Sequence, residues 1–204
     1  MSAVRVLVTG FQPFGGASLN PSQAVVEQLR STGIQGVELH CVVLPVEFGR
    51  AAEVLLGLID ELRPQIAIAL GQAEGRTKIS LERVAINLDD ARIADNAGNQ
   101  RVDSEIISGG PSAYFSTLPV KDIVNTLDAD GVPAEISMTA GTFVCNHVFY
   151  AMQHHCVGQN IATGLIHMPL MEEQANEFPG LPVLPLAQIV VGIERAIRIS
   201  AGLN

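Results

Sequence analysis

The sequence contains no tryptophan, few charged side chains and only three cysteines. The three cysteines, Cys41, Cys145 and Cys156, are few and odd in number, which argues against a disulfide framework. We therefore expect a reducing, cytoplasmic setting. The 12 Lys and Arg stand against 21 Asp and Glu, for a net charge of −9. This balance argues against nucleic-acid binding, because neutralising phosphates requires clustered basic side chains.

Long apolar runs are also missing. No stretch approaches the ~18 residues that a membrane span needs, so we expect no membrane association. The N-terminus enters a short strand-like run that stops at Gly10, and we therefore expect no signal peptide. Metal-binding patterns such as HExxH or paired CxxC are absent, and residues 89–99 do not fit an EF-hand. The sequence thus predicts neither a metal nor a cofactor.

The chain does have enough apolar residues, 48% of 204, to build a core, and we predict one domain over residues 1–204. Short β-branched runs alternate with amphipathic segments. The predicted strands are residues 4–9, 39–46, 65–70, 134–138 and 161–167, with an extended segment at 78–87; the predicted helices are 20–29, 50–62, 120–127, 143–155 and 185–200. This alternation predicts an α/β fold: a single-domain three-layer α/β/α sandwich with a mainly parallel, twisted central sheet.

In such folds, ligands bind beyond the carboxyl ends of the strands. Four segments of this chain follow predicted strands: residues 10–16, residues 71–75, residues 140–145, and the chain from His167 onward. The polar loop 89–103 is long enough to act as a lid over that edge of the sheet.

The first of these segments is rich in glycine but lacks both GxGxxG and the Walker pattern, so it does not predict a phosphate site. It carries Phe11 and Phe14, two of only seven phenylalanines. We interpret them as an aromatic wall for a small, flat, uncharged group. The alternative is that both rings pack at the edge of the hydrophobic core.

Cys145 lies at the start of a predicted helix, after the small residues 139–142. The free N–H groups and the positive end of the helix dipole stabilise a thiolate there and can also hold an oxyanion. The alternative is a buried structural cysteine. Cys41, inside an apolar strand, and Cys156, at a helix end, are better explained as structural.

A nucleophilic thiol needs a base, and His167 is the best candidate because it ends a predicted strand at the same edge. His147 is close to Cys145 in sequence, but residues two apart on a helix point to different faces. The acid that would orient His167 stays open among Glu82, Asp89 and Asp90. For Glu82, the alternative is a surface ion pair with Arg83 or Lys78.

Several segments together resemble the pyroglutamyl-peptidase I family of cysteine peptidases. The resemblance covers nearly the whole chain in order, at residues 6–16, 20–22, 70–73, 82–87, 89–93, 140–147, 166–169 and 173–175. It departs at Gln12 and Leu170, where the family usually has Glu and an aromatic residue.

The resemblance implies a catalytic triad of Cys145, His167 and Glu82, the last of which the residues alone do not select. It also implies a pocket in which aromatic rings flank a five-membered lactam, with Arg92 near the oxyanion; the pocket residues would be Phe11, Phe14, Asn20, Gln72, Arg92 and Phe143. The family fold is an α/β/α sandwich, and its members are commonly cytoplasmic homo-oligomers, often tetramers.

The resemblance further implies that the chain hydrolyses the amide bond after an N-terminal pyroglutamyl (5-oxoprolyl) residue of peptides, through a thioester and without a cofactor. Two alternatives are a phosphorylase or amidase of small lactams on a similar sandwich, and a non-enzymatic protein that binds small ligands. A phosphorylase would need a basic phosphate site, which residues 10–16 lack.

Overall fold

A computed structural model describes residues 3–203 of the chain. Met1, Ser2 and Asn204, the ends of the predicted domain, lie outside the described residues. In chain order the elements are β1 (Val4–Phe11), α1 (Pro21–Thr32), β2 (Val37–Leu44), α2 (Arg50–Leu62), β3 (Ile66–Gln72), β4 (Ile79–Glu82), β5 (Val84–Ile86), β6 (Ala113–Phe115), α3 (Val120–Ala129), β7 (Ala134–Ser137), α4 (Val144–His155), β8 (Ala162–Met168), β9 (Leu170–Met171), β10 (Val183–Leu184) and α5 (Leu186–Ser200).

Six strands form the central sheet, in the order β2-β1-β3-β8-β4-β7. The first four run parallel, whereas β4 is antiparallel to β8 and parallel to β7. The prediction of a mainly parallel sheet is confirmed, with two reversed strands at one side. The remaining strands form two small sheets, β5–β6 and β9–β10. The extended segment predicted at 78–87 contains β4 and β5, whereas the sequence did not indicate β6, β9 and β10, which are two or three residues long.

Helices cover both faces of the sheet. One apolar cluster joins α1, α3 and α5 to one face, and a second joins α2 and α4 to the other. Side chains alternate between these clusters along each strand, as the pleat requires: Leu165 of β8 faces α4 while Ile166 faces the opposite layer. The predicted three-layer α/β/α arrangement is therefore confirmed.

Local chemistry explains the start of α1. Asn20 caps this helix by accepting a hydrogen bond from the Ser22 backbone N–H at 2.9 Å, and Pro21 occupies the first helical position. The preceding strand β1 continues through Phe11, two residues beyond its predicted end, so Phe11 lies at the end of a strand and not in the loop. No helix within residues 3–203 is long and apolar enough to cross a membrane.

Candidate active site

Cys145 lies in the first turn of α4, where no side chain caps the helix. Asn146 fixes this helix end: its Nδ2 donates to the carbonyls of Ile86 at 2.9 Å and Leu88 at 3.0 Å, and its Oδ1 accepts from the Ile86 N–H. The first N–H groups of a helix have no partner within the helix. The helix therefore presents uncapped N–H groups beside the thiol, as the sequence predicted.

His167 and Glu82 form a hydrogen bond in the interior of the molecule. The Nδ1 atom of His167 lies 2.7 Å from Oε1 of Glu82, and Glu82 is fully buried. Ser80 of β4 lies opposite His167 of β8. Glu82, two residues farther along β4, is therefore the diagonal neighbour of His167 on the same face of the sheet. The structure thus brings to His167 one of the three acids that sequence reasoning left open.

Cys145 and His167 meet above Gly71, the residue of β3 that pairs with His167. A β-carbon built on Gly71 would lie 2.9 Å from Nε2 of His167 and 3.0 Å from Sγ of Cys145. The distance between Nε2 of His167 and Sγ of Cys145 therefore cannot exceed the sum of these two distances. Glycine at this position leaves the space in which the thiol and the imidazole face each other.

The electrostatic setting of the thiol differs from the expectation. Burial and, less strongly, the charge of Glu82 raise the pKa of Cys145 to about 12, although Arg76 and the backbone N–H of Cys145 act to lower it. Burial thus outweighs the thiolate stabilisation predicted from the helix end. Burial also raises the pKa of Cys41 and of Cys156 to about 11, so geometry and not acidity distinguishes Cys145.

Arg76 is a part of the site that the sequence reasoning missed. Its Nη1 lies 2.7 Å from Oε1 of Glu82, the oxygen that also contacts His167. The alternative of a surface ion pair between Glu82 and Arg83 or Lys78 is wrong, because Glu82 is buried and Arg83 lies over the Phe115 ring. A signal was available, since Arg76 follows directly after residues 71–75 at the carboxyl end of β3.

A small apolar pocket adjoins the thiol. It is lined by Phe11, Phe14, Asn20, Val46, Gln72, Phe143, Val144 and Cys145, none of which carries a permanent charge. The rings of Phe14 and Phe143 lie 5.8 Å apart, and Phe48 packs edge-on against Phe143 at 5.4 Å. The enclosed volume is about 10 Å³, room for about one water molecule, so a larger ligand requires the rings to separate.

Phe11 fits both interpretations made from the sequence, since it is 2% exposed, belongs to the core cluster and also lines the pocket. Asn20 and Gln72 also line the pocket, but both side-chain amides already form hydrogen bonds. Asn20 donates to the Gln12 carbonyl, whereas Gln72 accepts from Nε2 of Gln174 at 3.0 Å and donates through its own Nε2 to Oε1 of Glu74 at 3.2 Å. Each amide nitrogen carries a second N–H that these hydrogen bonds do not use.

Arg92 is exposed, and within residues 3–203 it forms no hydrogen bond or ion pair with the other site residues. Its predicted place near an oxyanion remains a prediction. The surrounding loop 89–103 is fastened to segments that border the pocket: Asn96 N–H donates to the Val46 carbonyl and its Nδ2 to the Pro13 carbonyl, both at 2.9 Å. These two hydrogen bonds hold the loop against the edge of the pocket, and its action as a lid stays a prediction.

A second imidazole–carboxylate pair lies behind the pocket. Nδ1 of His147 is 2.8 Å from Oδ2 of the buried Asp89, which also pairs with Arg101 at 2.9 Å. Nε2 of His147 accepts from the Gly49 N–H, and the ring packs edge-on against Phe48. His147 therefore has a packing and hydrogen-bonding role, as its position two residues from Cys145 predicted.

Within the described residues, no group of three His, Cys, Asp or Glu side chains is arranged to hold a metal ion. The three cysteines are unbridged. What the site does offer is a thiol, an imidazole hydrogen-bonded to a carboxylate, uncapped helix N–H groups and an uncharged aromatic pocket. This set suits acyl transfer through a covalent thioester.

Comparison with known proteins finds relatives of a single family. The model of the pyroglutamyl peptidase family matches residues 4–202. The chain is 48% identical to a pyrrolidone-carboxylate peptidase of Erwinia tasmaniensis, over 96% of this chain and 92% of that one, and 51% identical to pyrrolidone-carboxylate peptidase 1 of Ralstonia nicotianae, over 95% and 91%.

Solved structures give the same result. A mutant pyrrolidone carboxyl peptidase from the hyperthermophile Pyrococcus furiosus superposes with a TM-score of 0.94 at 40% identity, covering 98% of this chain and 99% of that one. Pyroglutamyl peptidase I from Bacillus amyloliquefaciens superposes with a TM-score of 0.93 at 41% identity, covering 98% and 97%.

Proposed function

Since the chain belongs to the pyroglutamyl peptidase family and is an enzyme of that activity, we propose that Cys145, His167 and Glu82 are the triad with which it releases N-terminal pyroglutamyl residues from peptides. The observation that carries the proposal is the meeting of the thiol and the imidazole over Gly71, with Glu82 on the far nitrogen of the imidazole.

The first step is the activation of the thiol. A carboxylate only accepts hydrogen bonds, so Nδ1–H of His167 donates to Glu82 and Nε2 is left with its lone pair toward Cys145. Because burial keeps the resting thiol protonated, Nε2 takes the proton as Sγ attacks the carbonyl carbon of the pyroglutamyl residue. The buried charge of Glu82 stabilises the imidazolium that forms.

The tetrahedral intermediate then collapses to a thioester. The N–H groups at the start of α4 hold its oxyanion, and one such donor is typically worth about 3 kcal/mol. The imidazolium of His167 gives its proton to the leaving amine nitrogen, and the C–N bond breaks. Water next loses a proton to Nε2, attacks the thioester and releases pyroglutamate, while Sγ regains its proton.

Specificity follows from the pocket. A lactam is compact and uncharged, so it can enter between Phe14 and Phe143 without leaving a buried charge. The protonated amine of an ordinary N-terminus would be desolvated there without a partner, at a cost of several kcal/mol. The second N–H of Gln72, which its hydrogen bond to Glu74 does not use, would donate to the lactam carbonyl.

The test is release of a fluorogenic amine from its pyroglutamyl amide, with the prolyl amide as the control substrate, in reducing buffer containing a chelator. We expect turnover of the pyroglutamyl substrate alone, with none from Cys145→Ala and full activity from Cys156→Ala. Turnover that requires phosphate would support a phosphorylase instead. Tight lactam binding with no turnover would support a binding protein.

The oligomeric state and the location belong to the same proposal. We expect a homo-oligomer, a tetramer by resemblance to the family, in the cytoplasm. Light scattering coupled to size-exclusion chromatography gives the mass in solution, and a monomer at micromolar concentration would overturn this part.

A further inference from the structure

We infer that Arg76 is a positioning residue for this hydrolysis, holding Glu82 and the turn before Cys145 together so that His167 faces the thiol. The inference rests on the proposed roles of these three residues. It assigns a function to a side chain outside the triad and outside the pocket.

The first observation is the sharing of one carboxylate oxygen. Oε1 of Glu82 lies 2.7 Å from Nη1 of Arg76 and 2.7 Å from Nδ1 of His167. The other oxygen, Oε2, and Nη1 of Arg76 are buried and form no hydrogen bond within the described residues, so the contact between Arg76 and Oε1 is an ion pair and not an aligned hydrogen bond. A fully buried carboxylate is stable as an anion only when it is paired. Within residues 3–203, Arg76 is the permanently charged partner that keeps Glu82 ionised and aimed at His167.

The second observation is a hydrogen bond from the other terminal nitrogen of the guanidinium to the turn before Cys145, which we call the tether. Nη2 of Arg76 donates to the Thr139 carbonyl at 2.9 Å. Thr139 lies in the turn that joins β7 to α4, and its Oγ1 accepts from the Gly141 N–H at 3.1 Å. One planar group therefore connects the carboxylate that orients the base with the turn that delivers the nucleophile. Lysine keeps the charge but lacks this fork.

The local backbone places Arg76 for this task. It follows Gly75, whose φ of +81° is in the left-handed region, and its own N–H donates to the Ala73 carbonyl. This turn leads from β3 toward β4, and from it the Arg76 side chain reaches the Thr139 carbonyl just after β7. Only 22% of it is exposed to solvent, which limits screening of its charge.

A positive charge at this place has a predictable effect on acid–base behaviour. The titratable groups at His167 are Glu82 from β4, Arg76 from the turn after β3 and Cys145 from α4, while β3 contributes the uncharged Gly71. Removing the cation leaves Glu82 as an unpaired buried carboxylate, which favours its neutral form, and a neutral Glu82 no longer stabilises the imidazolium of His167. The acid limb of the kcat/KM profile should then move to lower pH.

The experiment compares Arg76→Met with Arg76→Lys, and uses Arg195→Met as the matched control because Arg195 forms an exposed ion pair with Asp130. We expect Arg76→Met to lower kcat about tenfold or more with little change in KM, and to move the acid limb of kcat/KM to lower pH. Arg76→Lys should return the acid limb to its wild-type position while kcat stays below wild type, since only the tether is lost. Arg195→Met should change none of these.

Other results overturn the inference. A Met variant with wild-type kcat and a wild-type acid limb, or one altered only in melting temperature, would make Arg76 merely structural. If the Met variant does not fold, the Lys variant decides alone: wild-type kcat there refutes the tether. The proposed function is tested separately on Cys145→Ala with Arg76 intact. Activity retained in that variant would refute the mechanism, whatever the Arg76 variants show.

Discussion

Gly71 lies against His167 on the adjacent strand so closely that a β-carbon at position 71 would fall 2.8 Å from Cδ2 of the imidazole. The same β-carbon would be 3.0 Å from Sγ of Cys145. Glycine is therefore required here for the space it leaves and not for an unusual backbone conformation. The thiol and the base occupy the volume that any other residue would fill.

We predict that Gly71→Ala separates Cys145 from His167 and lowers kcat/KM by about 100-fold, since a displacement of about 1 Å costs this much in well-aligned sites. The matched control is Gly192→Ala, whose β-carbon would meet Ile79 at 2.5 Å inside the core of the opposite layer. That variant should lose stability but keep its activity per folded molecule. Wild-type activity of Gly71→Ala in the fluorogenic assay would contradict the prediction.

The sequence predicted Cys145 and His167 because both follow the general rule for parallel strands and helix N-termini. It did not select Glu82 over Asp89 and Asp90, because β4 runs antiparallel to β8 and a strand's direction is not encoded in its hydrophobic pattern. With β4 reversed, Glu82 becomes a diagonal neighbour of His167.

Arg76 was missed for a related reason. Its function depends on a contact between the turn after β3 and the turn after β7, which are more than 60 residues apart in the chain. The sequence left open whether loop 89–103 acts as a lid, and its hydrogen bonds to Pro13 and Val46 are long-range contacts with no local signature. Tertiary contacts of this kind are not readable from spacing alone.

We predict that Glu82→Gln lowers kcat by about 10³-fold, because the amide keeps the shape but not the charge that stabilises the imidazolium. Removing a negative charge beside His167 disfavours its protonated form, so the acid limb of kcat/KM should move to lower pH, in the same direction as the shift expected for Arg76→Met. Glu53→Gln, in an exposed pair with Arg50, is the control. An unchanged acid limb in Glu82→Gln would refute this assignment.

We predict that His147→Ala destabilises the protein by roughly 2 kcal/mol, because the buried Asp89 loses its hydrogen bond from the imidazole and keeps only its ion pair with Arg101. Since the His147 ring supports Phe48, which packs on Phe143, KM should rise more than kcat falls. The control is His155→Ala, which breaks an exposed pair with Asp60 and should cost less than about 1 kcal/mol. Equal losses in urea denaturation would contradict the prediction.

A last prediction concerns the pH dependence that Asp95 gives to loop 89–103. Burial raises the pKa of Asp95, but hydrogen bonds outweigh this and hold it below its ordinary value; the donors are the N–H groups of Phe48, Ala97 and Asn99 and the amide of Asn99. A carboxyl group whose pKa is lower in the folded state stabilises the fold above its unfolded pKa, and that contribution is lost as pH falls through the folded pKa.

The free energy of unfolding of the wild type should therefore exceed that of Asp95→Asn most at neutral pH. The difference should shrink as pH falls below about 4, where Asp is protonated in the unfolded chain. Asp128→Asn, at an exposed position of α3, should show no such trend in the same urea titrations. A difference for Asp95→Asn that stays constant down to pH about 2 would mean that shape, and not charge, holds the loop against the pocket.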